Sequence, residues 1–110
     1  MKQIIQAHPE AMLHSICDVM APIEGAKQRC SDIIMSSQAF AYLLKEDPEK
    51  VNVKMASSQE MMNNIYLIGF VWGACIYIDR EEQSLKITGY SENSPEKHLD
   101  FPNIYHITEL

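Results

Sequence analysis

Three cysteines, four histidines and an excess of carboxylates are the side chains that could do chemistry here, and their spacing limits what that chemistry can be. His14 and Cys17 stand three residues apart, so a helix would put them on one side. Two ligands do not make a structural zinc centre, which takes four. No CxxC or HxxxH pair supplies the others, and His8, His98 and His106 fall in unrelated settings. Cys75 lies between Ala74 and Ile76 in the most apolar part of the chain. A reactive thiol wants an electropositive, partly exposed setting, so Cys75 reads as a packed core thiol. Cys30 follows Arg29, which favours thiolate, but Asp32 offsets it. The carboxylates Glu46, Asp47, Glu49, Asp79, Glu81 and Glu82 cluster as solvated turn and helix-end charge. A general acid needs a carboxyl in an apolar pocket. Gly69 and Gly73 have no lysine after them, and neither a GxGxxG nor a Walker pattern exists. No catalytic residue, metal ligand or cofactor site is therefore predicted, and the chain reads as a non-enzyme.

What is left is surface chemistry. Trp72, Tyr77 and Tyr90 offer large, rigid, amphipathic side chains of the kind enriched at interfaces. Seven methionines is a high count for this length. Methionine fills irregular core gaps and also suits adaptable binding surfaces. Met55, Met61 and Met62 lie close together in sequence and are candidates for an exposed patch. These six residues are the interface candidates; core packing is the alternative for each.

Composition bounds the rest. The chain has 110 residues, 46% of them hydrophobic, with 9 basic against 15 acidic side chains and a formal charge of −6. That is one α+β-sized domain over residues 1–110 with enough apolar content for a core. The acid excess argues against sequence-independent nucleic-acid binding, which needs a positive surface. An odd number of cysteines without regular spacing does not look like a secreted disulfide framework, so free thiols in a reducing, cytoplasmic compartment are expected. The longest stretch without a charge or amide, Ile65 to Ile78, is too short to span a bilayer, which takes about 20 residues. No membrane contact is predicted.

The elements that must position these residues follow from periodicity. Met12, Ile16 and Met20, with Leu13 and Cys17 beside them, predict a helix over 9–20 that Pro22 stops. Residues 23–32 read as a short helical turn or a loop. Ile33–Met35 reads as a brief buried strand, and Ser36 or Ser37 caps a helix carrying Ala39, Phe40, Leu43 and Leu44. Lys45 to Pro48 end it. Val51–Met55 alternates like a strand, and Ser57 with Glu60 forms a capping-box pattern. Ile65–Ile78 is rich in β-formers. Asp79 to Ser84 is a polar turn, and Leu85–Tyr90 returns as a strand. This predicts a hairpin of Trp72–Ile78 against Leu85–Tyr90. A loop with one helical turn after Ser94-Pro95 follows, then a last strand over 104–107. The fold class is α+β, with N-terminal helices followed by a mainly antiparallel sheet.

One order of features is familiar. A helix ends near Ala21-Pro22-Ile23. Asp32-Ile33-Ile34-Met35-Ser36-Ser37 leads at once into Gln38-Ala39-Phe40-Ala41-Tyr42-Leu43-Leu44. Later come Gly69 to Asp79, with the core Trp72-Gly73-Ala74-Cys75-Ile76-Tyr77-Ile78-Asp79, and then Leu85 to Tyr90. Over roughly residues 12–90 this resembles the C-terminal half of tailed-phage major capsid proteins of the HK97-like fold. The chain is far shorter than a whole capsid subunit, without a recognisable N-terminal arm, extended loop or long spine helix. The resemblance implies no catalytic residues. It implies a structural or assembly protein that works by matching surfaces with itself or with related subunits, in the host cytoplasm or the virion if phage-derived. The competing expectation is a small intracellular interaction module that binds and modulates a partner protein.

Overall fold

A computed structural model describes residues 1–100. The chain runs β1 (Lys2–Gln6), α1 (Met12–Gly25), β2 (Cys30–Met35), α2 (Ser37–Glu46), β3 (Val51–Val53), a single 3-10 turn (Glu60–Met62), β4 (Ile65–Val71), β5 (Ala74–Asp79), β6 (Lys86–Ser91) and α3 (Glu96–Asp100). The strands form one sheet in the order β1-β6-β2-β5-β4-β3. Every neighbouring pair is antiparallel except β2 and β5, which are parallel. The class is α+β, with two corrections to the expected arrangement. The chain opens on a strand and not on a helix, and the sheet is mixed.

Alternation along the strands sorts side chains onto two faces. Ile5, Ile33, Met35, Ile76, Ile78 and Ile87 meet the buried face of α1 (Met12, Ile16, Val19, Met20, Ile23) and of α2 (Ala39, Phe40, Leu43) in one apolar core. The opposite face carries Ile34, Ile65, Tyr77 and Tyr90 as a smaller cluster. Gly89 sets the distance between the layers. A Cβ there would stand 2.2 Å from Val19 Cγ1, so α1 rests directly on β6 backbone.

The helix ends show why sequence signals partly misled. The chain passes through Pro22 and α1 runs on to Gly25. Pro22 leaves the Asp18 carbonyl without its usual donor, but both residues are exposed and water can replace it. The helix stops where Lys27 turns left-handed at φ 61°. There Gln28 N–H donates back to Ile23 O at 3.1 Å, closing the end in the manner of a Schellman cap. At the other end, Pro9 and Glu10 lie in the turn before the helix and not within it. Ser36 behaves as read: its Oγ accepts from Ala39 N–H at 3.1 Å, and α2 follows. Ser57 and Glu60 form a reciprocal capping box on the 3-10 turn, at 3.1 and 3.2 Å. The short helix after Ser94-Pro95 is α3; the strand expected over 104–107 lies outside the described residues.

The expected hairpin is corrected. β5 pairs with β4 and β2, whereas β6 pairs with β2 and β1. β2 therefore sits between the two strands that were expected to be partners. The true hairpin joins β4 to β5 through Trp72-Gly73, both left-handed at φ 47° and 79°. This is the two-residue turn whose twist suits flanking strands. Among the described residues no helix is long and apolar enough to cross a membrane.

Candidate interface surfaces

α1 and α2 cover one face of the sheet, and the sheet ends in two strands, β1 and β3, with no further strand beyond them among the described residues. The large apolar residues left in solvent are Ile4 on β1; Val53, Met55, Met61, Met62 and Phe70 around β3; and Trp72 at the β4–β5 turn. Exposed apolar residues at open strand edges are what monomeric proteins usually avoid.

The β3 side is the most apolar. Met55 is 91% and Met62 82% exposed. Local chemistry holds them there. Lys54 Nζ reaches both Glu60 carboxylate oxygens, at 3.1 and 3.3 Å, tying the chain after β3 to the 3-10 turn. Hydrogen bonds from the Ser57 backbone and then from Lys54 hold the Glu60 carboxyl below its ordinary value. The charged pair thus folds inward and leaves the methionines outward. Gly69 allows the close approach behind this patch, because a Cβ there would stand 2.6 Å from Asn52 O.

Trp72 is 47% exposed at the tip of the true hairpin. A left-handed backbone costs a residue with a Cβ roughly 1–2 kcal/mol, and asparagine or glycine is the usual occupant. Arg29 Nη2 donates to Gly73 O at 2.9 Å and fixes the turn from β2's approach. Trp72 overhangs a groove of about 440 Å³ shared with Cys17, Met20, Ala21 and Glu24 of α1.

Tyr77 and Tyr90 are placed differently. Tyr77 is half-buried on the face away from α1, near Asp32, and burial first and Asp32 second push its hydroxyl above the ordinary tyrosine value. Tyr90 is only 2% exposed. Its hydroxyl donates to Asp100 Oδ2 at 2.7 Å, and burial, then Asp100, raise it in the same way. Tyr90 anchors α3 to the sheet and presents no surface to a partner. Its place in a central strand is the physical reason, and a one-residue shift in strand register would have turned it to the helix side.

The polar groups on this face bind α3 to the sheet. Lys97 Nζ meets Asp32 Oδ2 at 2.8 Å, and Lys2 Nζ meets Asp100 Oδ2 at 2.7 Å. Ser31 Oγ also donates to Asp32. Cys75 lies near this group, but burial first and Asp32 second raise its thiol, which opposes thiolate formation. Burial pushes the Cys30 thiol up to about 11. Cys17 is exposed, and all three are free thiols. The described residues contain no group of three or more His, Cys, Asp or Glu able to hold a metal. A pocket of about 140 Å³ between Lys2, Ile4, Thr88, Tyr90 and Asp100 is smaller than ordinary ligand sites, which run from about 300 Å³.

Of the six sequence candidates, the structure leaves Met55, Met61 and Met62 exposed, sets Trp72 at the β4–β5 turn, and turns Tyr77 and Tyr90 onto the second face. Sequence reasoning missed Ile4, although Gln3-Ile4-Ile5-Gln6 carries the β-branched signal of a strand. No protein-family model matches the chain, and no curated protein or solved structure matches it.

Proposed function

We propose that this domain is a structural or assembly protein, similar to part of a phage-type capsid subunit, that acts by associating with itself or with related subunits. The observation that carries the reading is the pair of sheet edges left open among the described residues, with large apolar side chains in solvent. Burying such edges and anchors between neighbours is how subunits of a shell gain free energy. The two segments behind the sequence resemblance are consistent with it. Ile33–Met35 in β2 leads straight into α2, and Ala74–Asp79 in β5 is its parallel neighbour. Net charge of −6 keeps the domain from binding nucleic acid through a non-specific positive surface. Three free cysteines suit the reducing cytoplasm of a cell.

The methionine patch favours a second reading, a small interaction module that binds one partner protein through an adaptable surface. Light scattering after size exclusion, across a concentration series, separates the two. Mass rising with concentration, with rings, sheets or shells in negative stain, is the expected result. A monomer at every concentration overturns the assembly reading and leaves the module.

A further inference from the structure

We infer that β1 is a self-pairing edge: two copies of the chain join antiparallel through it, centred on Ile4, so that one sheet runs through both. The inference rests on the self-association proposed above and names its surface.

Backbone direction makes the edge available. Ser91 N–H donates to Met1 O and Ala7 N–H to Leu85 O, each at 2.9 Å. In an antiparallel pair these bonded positions alternate. Met1, Gln3, Ile5 and Ala7 therefore face β6, while the N–H and C=O of Lys2, Ile4 and Gln6 point outward. No hydrogen bond from the described residues meets those outward groups.

The usual protection of an edge is disarmed. Natural edges carry charge, often lysine, to repel a second strand. The one charged residue of β1 is Lys2, and its ammonium turns back over its own sheet, 2.7 Å from Asp100 Oδ2 and 5.9 Å from the centre of the Tyr90 ring. Ile4, at the middle of the strand, is left 52% exposed.

The strand is also self-complementary. With Ile4 opposite Ile4 of the partner copy, Lys2 stands opposite the partner's Gln6, and Gln6 opposite the partner's Lys2. All three outward residues then meet outward residues, which is the hydrogen-bonded pairing. The two isoleucines stack on the face away from α1, and lysine never faces lysine. Sliding the pair by two residues separates the isoleucines and leaves one outward residue unpaired. A parallel pairing gives no closed two-fold dimer. β3 is a poorer edge, since it is only three residues long.

The test uses the full chain in sedimentation velocity, with Ile4→Lys and Gln6→Pro as variants and Val53→Lys as the control on β3. Lysine at 4 puts like charges face to face at the two-fold axis, and proline at 6 removes an outward donor without touching the bonds to β6. Each should weaken dimerisation by about tenfold or more, while Val53→Lys leaves it unchanged. In a Cys17→Ser background, Ile4→Cys should form a disulfide dimer under mild oxidation, and Lys2→Cys should not. The cross-link decides the matter if a charged variant fails to fold. A dimer that survives Ile4→Lys and Gln6→Pro but is lost in Val53→Lys overturns the β1 pairing and leaves the assembly reading standing. A wild-type monomer at all concentrations overturns both.

Discussion

Replacing Glu46 should destabilise the domain although Glu46 is an exposed residue at the end of a different helix. The first turn of α1 has unpaired amides, and its N-cap, Ala11, supplies no side-chain acceptor. Glu46, the last residue of α2, supplies it from a distance. Met12 N–H donates to Oε1 at 2.7 Å and Leu13 N–H to Oε2 at 3.0 Å. One carboxylate therefore does three things: it satisfies two amides, places negative charge at the positive end of α1, and ties α2 to α1. Loss of a helix N-cap costs typically about 1 kcal/mol. The charge–dipole interaction adds about 0.3–1 kcal/mol at a solvent-exposed site. Glu46→Ala should therefore lose about 1–2 kcal/mol. At about 4–8 °C per kcal/mol for a domain near 100 residues, the melting temperature should fall by about 5–15 °C. Glu46→Gln keeps one acceptor oxygen and no charge, so it should lose about half as much. The assay is urea unfolding followed by far-UV circular dichroism, with the midpoint falling and the slope unchanged. Repeating it in high salt should shrink the difference between Gln and Glu, because the charge effect is screened. An alanine variant within about 0.3 kcal/mol of wild type, well below any capping contribution, would refute the reasoning.

Gly89→Ala should cost about 1–3 kcal/mol, since its methyl would stand 2.2 Å from Val19 Cγ1 and force α1 off the sheet; chemical denaturation checks this, and a neutral variant would mean that the layers are not in contact there. Glu82 is held down to about 2, first by its hydrogen bond from Lys86 and then by Ser84. Its folded value lies below its unfolded value, so its contribution is full above the ordinary carboxylate range and fades as pH falls toward 2. Glu82→Gln should thus be less stable than wild type at neutral pH, with the gap closing on acidification; a gap that stays constant with pH would exclude the linkage. With an alkylating agent at mildly alkaline pH, the exposed Cys17 should react first and the buried Cys30, its thiol pushed up to about 11, only on unfolding. Peptide mass spectrometry reads the order, and equal rates at the two sites would contradict the burial.

Local signals carried the elements that depend on a few neighbouring residues. Ser36 caps α2 because its oxygen and the first free amides are three residues apart, and no distant part of the chain enters. The same holds for Ser57 with Glu60, for the buried face of α1 from Met12 to Met20, and for the end of α2 before Pro48. The lack of paired metal-ligand motifs and the acid excess are properties of the sequence itself, and the methionines at 55, 61 and 62 stand close together along it. Pro22 misled in a local way, because exposure lets water replace a lost helical bond; Pro9 misled because proline suits a turn ahead of a helix as well as a first helical turn.

Strand partnership was a different matter. Trp72-Gly73 forms the turn, although tryptophan at a left-handed position is not a turn signal, and the long β-rich stretch from Ile65 to Ile78 hid it. β2, which ends at Met35 long before β5 begins at Ala74, takes the place between β5 and β6. β1 takes the outer side of β6 from the far end of the described chain. Side-chain alternation says which residues share a face, but it holds equally for every choice of partner strand. Only long-range pairing, chosen by how the whole helical layer covers the sheet, decides which strands are left at the edges. For that reason the buried anchor Tyr90 and the exposed Ile4 could not be told apart by residue type. Residue chemistry determined what this chain can present, large apolar anchors and an excess of acid, and the tertiary structure decided where they are presented.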